Sequence, residues 1–355
     1  MKKKVLLVPL ALLLVVSLIA CAAPAPAPAP TTTTPAPAPA PAKPSYHWRL
    51  AQPNPVDHPV TQADLRFAEK VLADSDGRIV IDVKHSGSLG DWIPACEEVF
   101  RGSIDMASTC LPSIYDPRME IVYTPYLVLD WRETKLAWGP GGFIYEAADI
   151  IGRTLGFTLL ASMPFDIVGM ATSKLPPSPG DPDAPKNLKI RIWASKVAEA
   201  LMERMGYMPT VMPWADVYSG MQMGVVDGVF GAGVIGAYEN LRDVMDYWIP
   251  YYAMSDGFFY IINLELWNSL SAEDQKIIQG AAIIEQDKQM EAAEAKEVEY
   301  VQLTRDYGIE VVELTPDEMK NIANAVMEDV WPELIPMVGK KLLDDAKAYA
   351  ESIRQ

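Results

Sequence analysis

The sequence has few of the residues that build metal and catalytic centres. Histidine occurs only as His47, His58 and His85 in 355 residues, and none stands at a spacing from cysteine or carboxylate typical of a zinc site. No Gly-x-Ser-x-Gly motif is present, and no histidine follows residue 85 to act as a base. We therefore expect no metal, no cofactor and no enzymatic activity, with an exported hydrolase as a remote alternative.

Positive charge is also in short supply. The chain has 30 Lys and Arg against 47 Asp and Glu, which gives a formal net charge of −17. A protein with a large negative net charge is repelled by the phosphates of nucleic acid, so we expect no nucleic-acid partner. The same field opposes an anionic ligand, whose attraction must then come from a local cation. Each arginine in an apolar context is therefore informative.

Long apolar runs are missing except at the N-terminus. Three lysines precede an apolar run over residues 5–20, which is shorter than the ~20 residues that usually span a bilayer. The residues before Cys21 are the small or aliphatic types of a bacterial lipobox. Residues 1–20 are therefore predicted to be a signal peptide, with Cys21 lipidated and anchored to a membrane on its extracytoplasmic side. An uncleaved transmembrane anchor is the alternative.

Residues 21–45 are almost entirely Ala, Pro and Thr after the cysteine, which predicts an extended, solvated tether. The folded part begins at Tyr46 and has roughly 310 residues, more than one hydrophobic core usually supports, so two lobes are expected. Its two cysteines, Cys96 and Cys110, either pair as a disulfide or remain separate buried thiols, and the sequence leaves both possibilities open.

Alternating strand and helix patterns indicate the α/β class. Expected strands cover residues 47–51, 79–83, 104–108, 157–161, 167–172, 189–193, 256–264 and 309–314. Expected helices cover residues 60–74, 93–101 and, as one very long element capped by Ser271, the stretch to Tyr307. Thr315 and Glu318 predict a capping box at the start of a further helix.

The strand at residues 189–193 is the most informative stretch for function. Alternation places Lys189, Arg191 and Trp193 on one face and the two isoleucines on the other, where they join the core. The planar guanidinium of Arg191 matches both oxygens of a carboxylate. A structural ion pair between Arg191 and a neighbouring Asp or Glu is the alternative interpretation.

Several different short motifs follow one another in a characteristic order along both halves of the folded part. They are His58-Pro59, Gly87-Ser88-Leu89-Gly90, Gly102-Ser103-Ile104-Asp105, Lys189-Ile190-Arg191-Ile192, Met205-Gly206, Met212-Pro213-Trp214-Ala215-Asp216-Val217-Tyr218 and Gly224-Val225-Val226-Asp227-Gly228. In this order they resemble the solute-binding proteins of tripartite ATP-independent periplasmic (TRAP) transporters, the DctP family. The resemblance covers nearly everything from Tyr46 to the long helix.

The resemblance implies a two-lobe periplasmic-binding-protein-like fold with hinge strands and a long helix that spans both lobes. On this basis residues 46–165 form the first lobe, completed by part of the C-terminal region, and residues 166–265 form the second. Residues 266–355 are the long helix and the C-terminal elements that pack across both. The family captures a small organic acid between its lobes and delivers it to membrane permease subunits. Presentation of the ligand to a membrane sensor kinase is the alternative.

Position by position, the resemblance makes Arg191 the carboxylate ligand and Trp214 a wall of the pocket. Further candidates are Trp193, Tyr218, Gln52, His58 and Thr109. The first two belong to the same segment as Arg191 and Trp214. The last three lie at or just after strand ends, where open α/β sheets bind ligands.

Two departures from the family pattern bear on the ligand. Some members have a second arginine on the strand that here covers residues 169–172, which contains none. Many have a polar turn where this chain has Phe230 and Gly231, and both are therefore counted as pocket residues. A more apolar pocket predicts a monocarboxylate with an apolar or aromatic body rather than a sugar acid or a short dicarboxylate.

Overall fold

The computed structural model describes residues 43–354. The expected signal peptide, the lipidation site at Cys21 and residues 21–42 of the expected tether lie outside this range. Within residues 43–354, no helix combines the length and apolarity that a bilayer crossing requires.

Two β-sheets form the framework of the described chain. The strands are β1 (Tyr46–Ala51), β2 (Ile79–Lys84), β3 (Met106–Thr109), β4 (Phe157–Ile167), β5 (Gly169–Thr172), β6 (Lys189–Ile192), β7 (Met208–Val211), β8 (Gly228–Ala232), β9 (Tyr247–Ile249), β10 (Ser255–Asn263) and β11 (Glu310–Val311). The first sheet has the order β2-β1-β3-β10-β4, and the second has the order β11-β9-β5-β8-β6-β7. β1 and β6 run parallel to their neighbours, whereas β10 and β5 run antiparallel to theirs. The predicted α/β class is confirmed.

Helices cover the sheets. They are α1 (Pro59–Asp74), α2 (Trp92–Phe100), α3 (Trp131–Trp138), α4 (Phe143–Leu155), α5 (Lys196–Arg204), α6 (Val217–Gln222), α7 (Val234–Leu241), α8 (Leu264–Ser269), α9 (Ala272–Tyr307), α10 (Pro316–Asp329), α11 (Trp331–Val338) and α12 (Lys340–Ile353). Val60, Phe67 and Val71 of α1 are buried in one cluster with Leu50 of β1 and Ile79 of β2. The predicted βαβ unit is therefore present, with its apolar helix stripe on the sheet.

The chain passes between the sheets through α9 and at two further places, which are adjacent to each other. β4 of the first sheet ends at Ile167 and β5 of the second begins at Gly169, so one residue, Val168, separates them. The return runs from β9 to β10. The N–H of Val168 donates to the carbonyl of Met254 at 2.8 Å, and its carbonyl accepts from the N–H of Ala253 at 3.0 Å. The two crossings are thus hydrogen-bonded to each other.

Two strand predictions need correction. β10 pairs with β3 and β4 in the first sheet, although the range 166–265 grouped it with the second lobe. Periodicity identifies a strand but carries no signal for a partner that is distant in sequence. The strand expected over residues 309–314 is reduced to Glu310–Val311, because only these two residues pair, with β9.

The long helix α9 connects the two sheets. Its 36 residues make it about 54 Å long, and Ser271 caps it as predicted. Near its middle, Gln286 accepts a hydrogen bond from the N–H of Ser162 in the first sheet at 2.9 Å. Further along, the hydroxyl of Tyr300 donates to Glu239 of α7, beside the second sheet, at 2.6 Å. The capping box of Thr315 and Glu318 at the start of α10 is also present.

Candidate functional site

Strand β6 presents the candidate cation. Ile190 and Ile192 are completely buried in the core of the second sheet, and alternation turns Arg191 to the opposite face. Asp227, just before β8, holds the beginning of β6. Its carboxylate accepts from the N–H of Lys189 at 2.9 Å, and its own N–H donates to the carbonyl of Lys189 at 2.7 Å. The Asp227-Gly228 motif therefore helps to fix the register of the arginine strand.

Arg191 is buried without an acidic partner. Only 3% of its surface is exposed, and no carboxylate of residues 43–354 lies within 4.0 Å of it. Its Nε donates to the carbonyl of Met212 at 2.8 Å, and its Cζ lies 5.3 Å from the ring centre of Trp214. Burial lowers the pKa of Arg191 to about 10, partly opposed by Asp91, so the guanidinium stays cationic at neutral pH. The alternative of a structural ion pair fails within the described chain.

A β-bulge brings the backbone of β8 close to Arg191. The register against β5 shifts so that Gly231 has no partner across the strand. Its φ of +113° favours glycine, and a Cβ at this position would lie 2.8 Å from the ring of Trp193. The Trp193 ring stacks on Phe230 with centres 6.1 Å apart. The bulge therefore makes the space in which Trp193 lies beside the guanidinium.

Arg191, Trp193, Trp214 and Gly231 line a cavity of about 150 Å³ that both sheets help to form. Its aromatic walls are Trp92, Tyr123, Phe165, Trp193, Trp214 and Phe258. Its charged and polar side chains are Arg191, Asp91, Asp256, His58, Asn54, Asn240 and Ser255. Arg191 is the sole lysine or arginine among the described residues that line it. The arrangement suits a small molecule with one acidic group and a flat or apolar body.

Of the residues predicted from sequence, Arg191, Trp214, Trp193, Gly231 and His58 line the cavity together. His58 caps α1, since its Nδ1 accepts from the N–H of Val60 at 3.2 Å. Burial lowers the pKa of His58 to about 4, so the ring is neutral at physiological pH. It contributes a polar edge without positive charge.

Four predicted site residues, Gln52, Thr109, Phe230 and Tyr218, are not among the residues that line the cavity. The amide of Gln52 donates instead to the buried carboxylate of Asp64. Thr109 is completely buried. Phe230 is buried behind Trp193. Tyr218 lies on α6 with 38% of its surface exposed.

Asp256 and Phe165 are functional candidates that the sequence reasoning missed. On β10, Asp256 pairs with Asp166 of β4 and Gly257 pairs with Pro164. Phe165 of β4 therefore has no partner on β10 and forms a second β-bulge. Both Asp256 and Phe165 line the cavity. Burial raises the pKa of Asp256 to about 7. A carboxylate at the start of a strand otherwise rich in aromatic and aliphatic residues is the signal that could have identified it.

The two cysteines of the folded part are free thiols. Cys96 Sγ donates to the carbonyl of Cys110 at 3.3 Å, so the residues are neighbours without a disulfide. Burial raises the pKa of both thiols, which keeps them protonated at neutral pH. Cys110 lines the cavity as a small, uncharged side chain.

The family described as bacterial extracellular solute-binding protein, family 7, matches residues 50–335. The ectoine-binding periplasmic protein TeaA of Halomonas elongata is 25% identical over 337 residues, covering 87% of this chain and 92% of that protein. The C4-dicarboxylate-binding periplasmic protein DctP of Rhodobacter capsulatus is 24% identical and covers 82% of this chain and 87% of that protein.

The fold is shared with solved structures. A TRAP periplasmic solute-binding protein from Ochrobactrum anthropi superposes with a TM-score of 0.78 at 22% identity, covering 88% of this chain and 96% of that one. The predicted architecture with two sheets and a connecting long helix is therefore that of this class of structures.

Proposed function

Because the chain belongs to family 7 of the bacterial extracellular solute-binding proteins, we propose that it captures a small organic acid outside the cytoplasmic membrane and delivers it to the permease of a TRAP transporter. The observation that carries the proposal is Arg191, which faces a cavity with its two Nη groups unpaired within the described chain. A buried cation without a counter-charge is costly, so a ligand carboxylate that supplies the charge stabilises the loaded protein.

The ligand that fits best is a monocarboxylate with an apolar or aromatic body. Among the described residues, six aromatic side chains line the cavity, and Arg191 is the only lysine or arginine that does so. Phe230 is expected from the sequence to make the pocket more apolar. Its ring instead stacks behind Trp193 and supports the wall from there. A thermal-shift panel of carboxylates tests this class. Tight binding of a C4-dicarboxylate with no response to aromatic or branched monocarboxylates would contradict it.

Mass spectrometry of small molecules retained by the purified protein tests capture itself. We expect an organic acid to be retained at one molecule per chain and to bind again, by calorimetry, to protein stripped of ligand. Retention of a neutral solute, with no acid of the panel binding, would refute the proposal.

Trp214 provides a test of the cavity wall. Trp214→Ala is expected to weaken binding of the retained acid about tenfold, since a ring that contacts both the guanidinium and the ligand body contributes on the order of 1–2 kcal/mol. Trp214→Phe keeps an aromatic face and should therefore lose less affinity than Trp214→Ala. Calorimetry measures both. Unchanged affinity of the alanine variant would remove Trp214 from the site.

Delivery to a permease is tested separately from capture. Proteoliposomes that contain the permease should take up the labelled acid under an ion gradient only when the binding protein is added. Binding without uptake would point to another partner, such as a membrane sensor kinase.

The membrane anchor is a further part of the proposal. Cells that express the full chain should incorporate labelled palmitate into it, and Cys21→Ser should abolish this incorporation, because the thiol is the expected acceptor of the lipid. Fractionation would then find the variant outside the membrane pellet. Equal labelling of the two proteins would contradict lipidation at Cys21.

A further inference from the structure

Asp256 is a second charged group that the cavity leaves without a counter-charge. It lies on β10 of the first sheet, whereas Arg191 lies on β6 of the second, and both line the same cavity. No Lys, Arg or His nitrogen of residues 43–354 lies within 4.0 Å of the Asp256 carboxylate. The backbone N–H of Gly257 is the polar group that stabilises its charged form. The cavity thus presents an unpaired cation and an unpaired carboxylate.

The surroundings of Asp256 supply no positive charge. Asp166 on the paired strand is acidic, and so is Asp91 on the cavity wall. His58 is neutral because burial lowers its pKa to about 4. Burial raises the pKa of Asp256 and therefore favours its protonated form. A cation that holds Asp256 ionised therefore has to arrive with the ligand.

The walls near Asp256 are of the kind that hold organic cations. Phe165 and Phe258 line the cavity and meet edge to face, with ring centres 5.6 Å apart. Aromatic faces attract ammonium and amidinium groups, and an adjacent carboxylate completes such a site. A ligand with a second carboxylate would instead meet Asp256 and Asp91, neither of which offers it a counter-charge.

We propose that the ligand is a zwitterion, a small acid whose carboxylate pairs with Arg191 and whose ammonium or amidinium nitrogen pairs with Asp256. This inference rests on the proposed function, since it keeps the arginine site and adds the other end of the molecule. A zwitterion has no net charge, so the formal charge of −17 does not repel it as it would an anion.

Matched acids test the proposal. L-Phenylalanine and 3-phenylpropionate share a carbon frame and differ by the ammonium group. L-Proline and cyclopentanecarboxylate share a five-membered ring and differ in that a CH2 group replaces the ammonium nitrogen of proline. Calorimetry on ligand-free protein is expected to give at least about tenfold tighter binding for the zwitterion of at least one pair. Binding of the plain carboxylates as tightly as the zwitterions overturns this inference and leaves the proposed function intact. Binding of no member of the panel overturns the inference, and failure of the wider carboxylate panel would overturn the proposed function as well.

Substitution of Asp256 distinguishes a direct contact with the ligand's cationic group from a structural role of this side chain. Asp256→Asn is expected to lower the affinity for the zwitterion by about tenfold to a hundredfold. The affinity for the matched plain carboxylate should be unchanged or higher. Asp82→Asn is the control, because Asp82 lies on β2 with its carboxylate 2.6 Å from Lys84 and does not line the cavity. Equal weakening of both ligands by Asp256→Asn would show a structural role and overturn the proposal.

The pH dependence of binding is a second readout. Asp256 has to lose its proton to pair with a cation, so affinity for the zwitterion should rise as pH increases towards about 7 and level off above it. The other groups that face Asp256 are Asp166, Cys110 and Tyr123, and all of them remain in the Asp256→Asn variant. The variant should therefore lose the rise. An identical pH profile for the two proteins would overturn the pairing with Asp256.

Discussion

Replacing Arg191 with alanine is expected to weaken binding of the organic acid by about 2–5 kcal/mol, which is roughly 30-fold to several-thousand-fold in affinity. Arg191 is 3% exposed and has no carboxylate within 4.0 Å in the described chain. Its loss would leave the ligand's carboxylate among aromatic walls, where an unpaired charge is strongly disfavoured. Isothermal titration calorimetry with the retained acid measures the change.

Two further variants define what Arg191 contributes. Arg191→Lys keeps the charge but loses the planar fork, so its affinity should fall between those of the unsubstituted and alanine proteins. Arg101→Ala removes an exposed arginine of α2's C-terminus that is ion-paired with Glu97, and it should bind normally. The melting temperature of ligand-free Arg191→Ala should equal or exceed that of the ligand-free unsubstituted protein, because a desolvated charge has been removed. Normal affinity in Arg191→Ala would refute its assigned role.

Replacing Gly231 with alanine is expected to lower both the stability and the affinity of the protein. At φ +113° a non-glycine residue is strained by about 1–3 kcal/mol. The new Cβ would also lie 2.8 Å from Trp193, which has to move from its place beside Arg191. We expect the free energy of unfolding to fall by this strain and the affinity to fall about tenfold. Urea denaturation and calorimetry measure the two effects.

Gly236→Ala is the matched control for stability. Gly236 lies in α7 and also lines the cavity, but its nearest neighbour to a new Cβ would be Ala232 at an ordinary 3.5 Å. Alanine is favoured over glycine in a helix by about 1 kcal/mol, so this variant should unfold no more easily than the unsubstituted protein. Equal destabilisation by the two substitutions would show that the bulge at Gly231 has no special requirement for glycine.

Local patterns predict the arginine strand well because they depend on neighbours in sequence. Alternation along β6 is sufficient to bury Ile190 and Ile192 and to place Arg191 on the other face. The cap of α9 at Ser271 is likewise a matter of a few adjacent residues. The family resemblance added Trp214, whose place beside the guanidinium depends on a turn that no periodicity describes.

Sequence patterns are least informative where distant segments meet. Gln52 lies just after a strand, as a ligand-binding residue would, but α1 brings Asp64 to its amide. Thr109 and Cys110 are adjacent, and only the fold decides that Cys110 lines the cavity. Asp256 lies at the edge of the cavity because β10 pairs between β3 and β4, a partnership that sequence periodicity does not encode.

A crystal structure of the protein with its retained acid tests the central claim most directly. We expect both carboxylate oxygens of the ligand to lie about 2.7–2.9 Å from nitrogens of the Arg191 guanidinium, with the body of the ligand against Trp214. A ligand whose carboxylate lies elsewhere in the cavity, with Arg191 still unpaired, would contradict the claim.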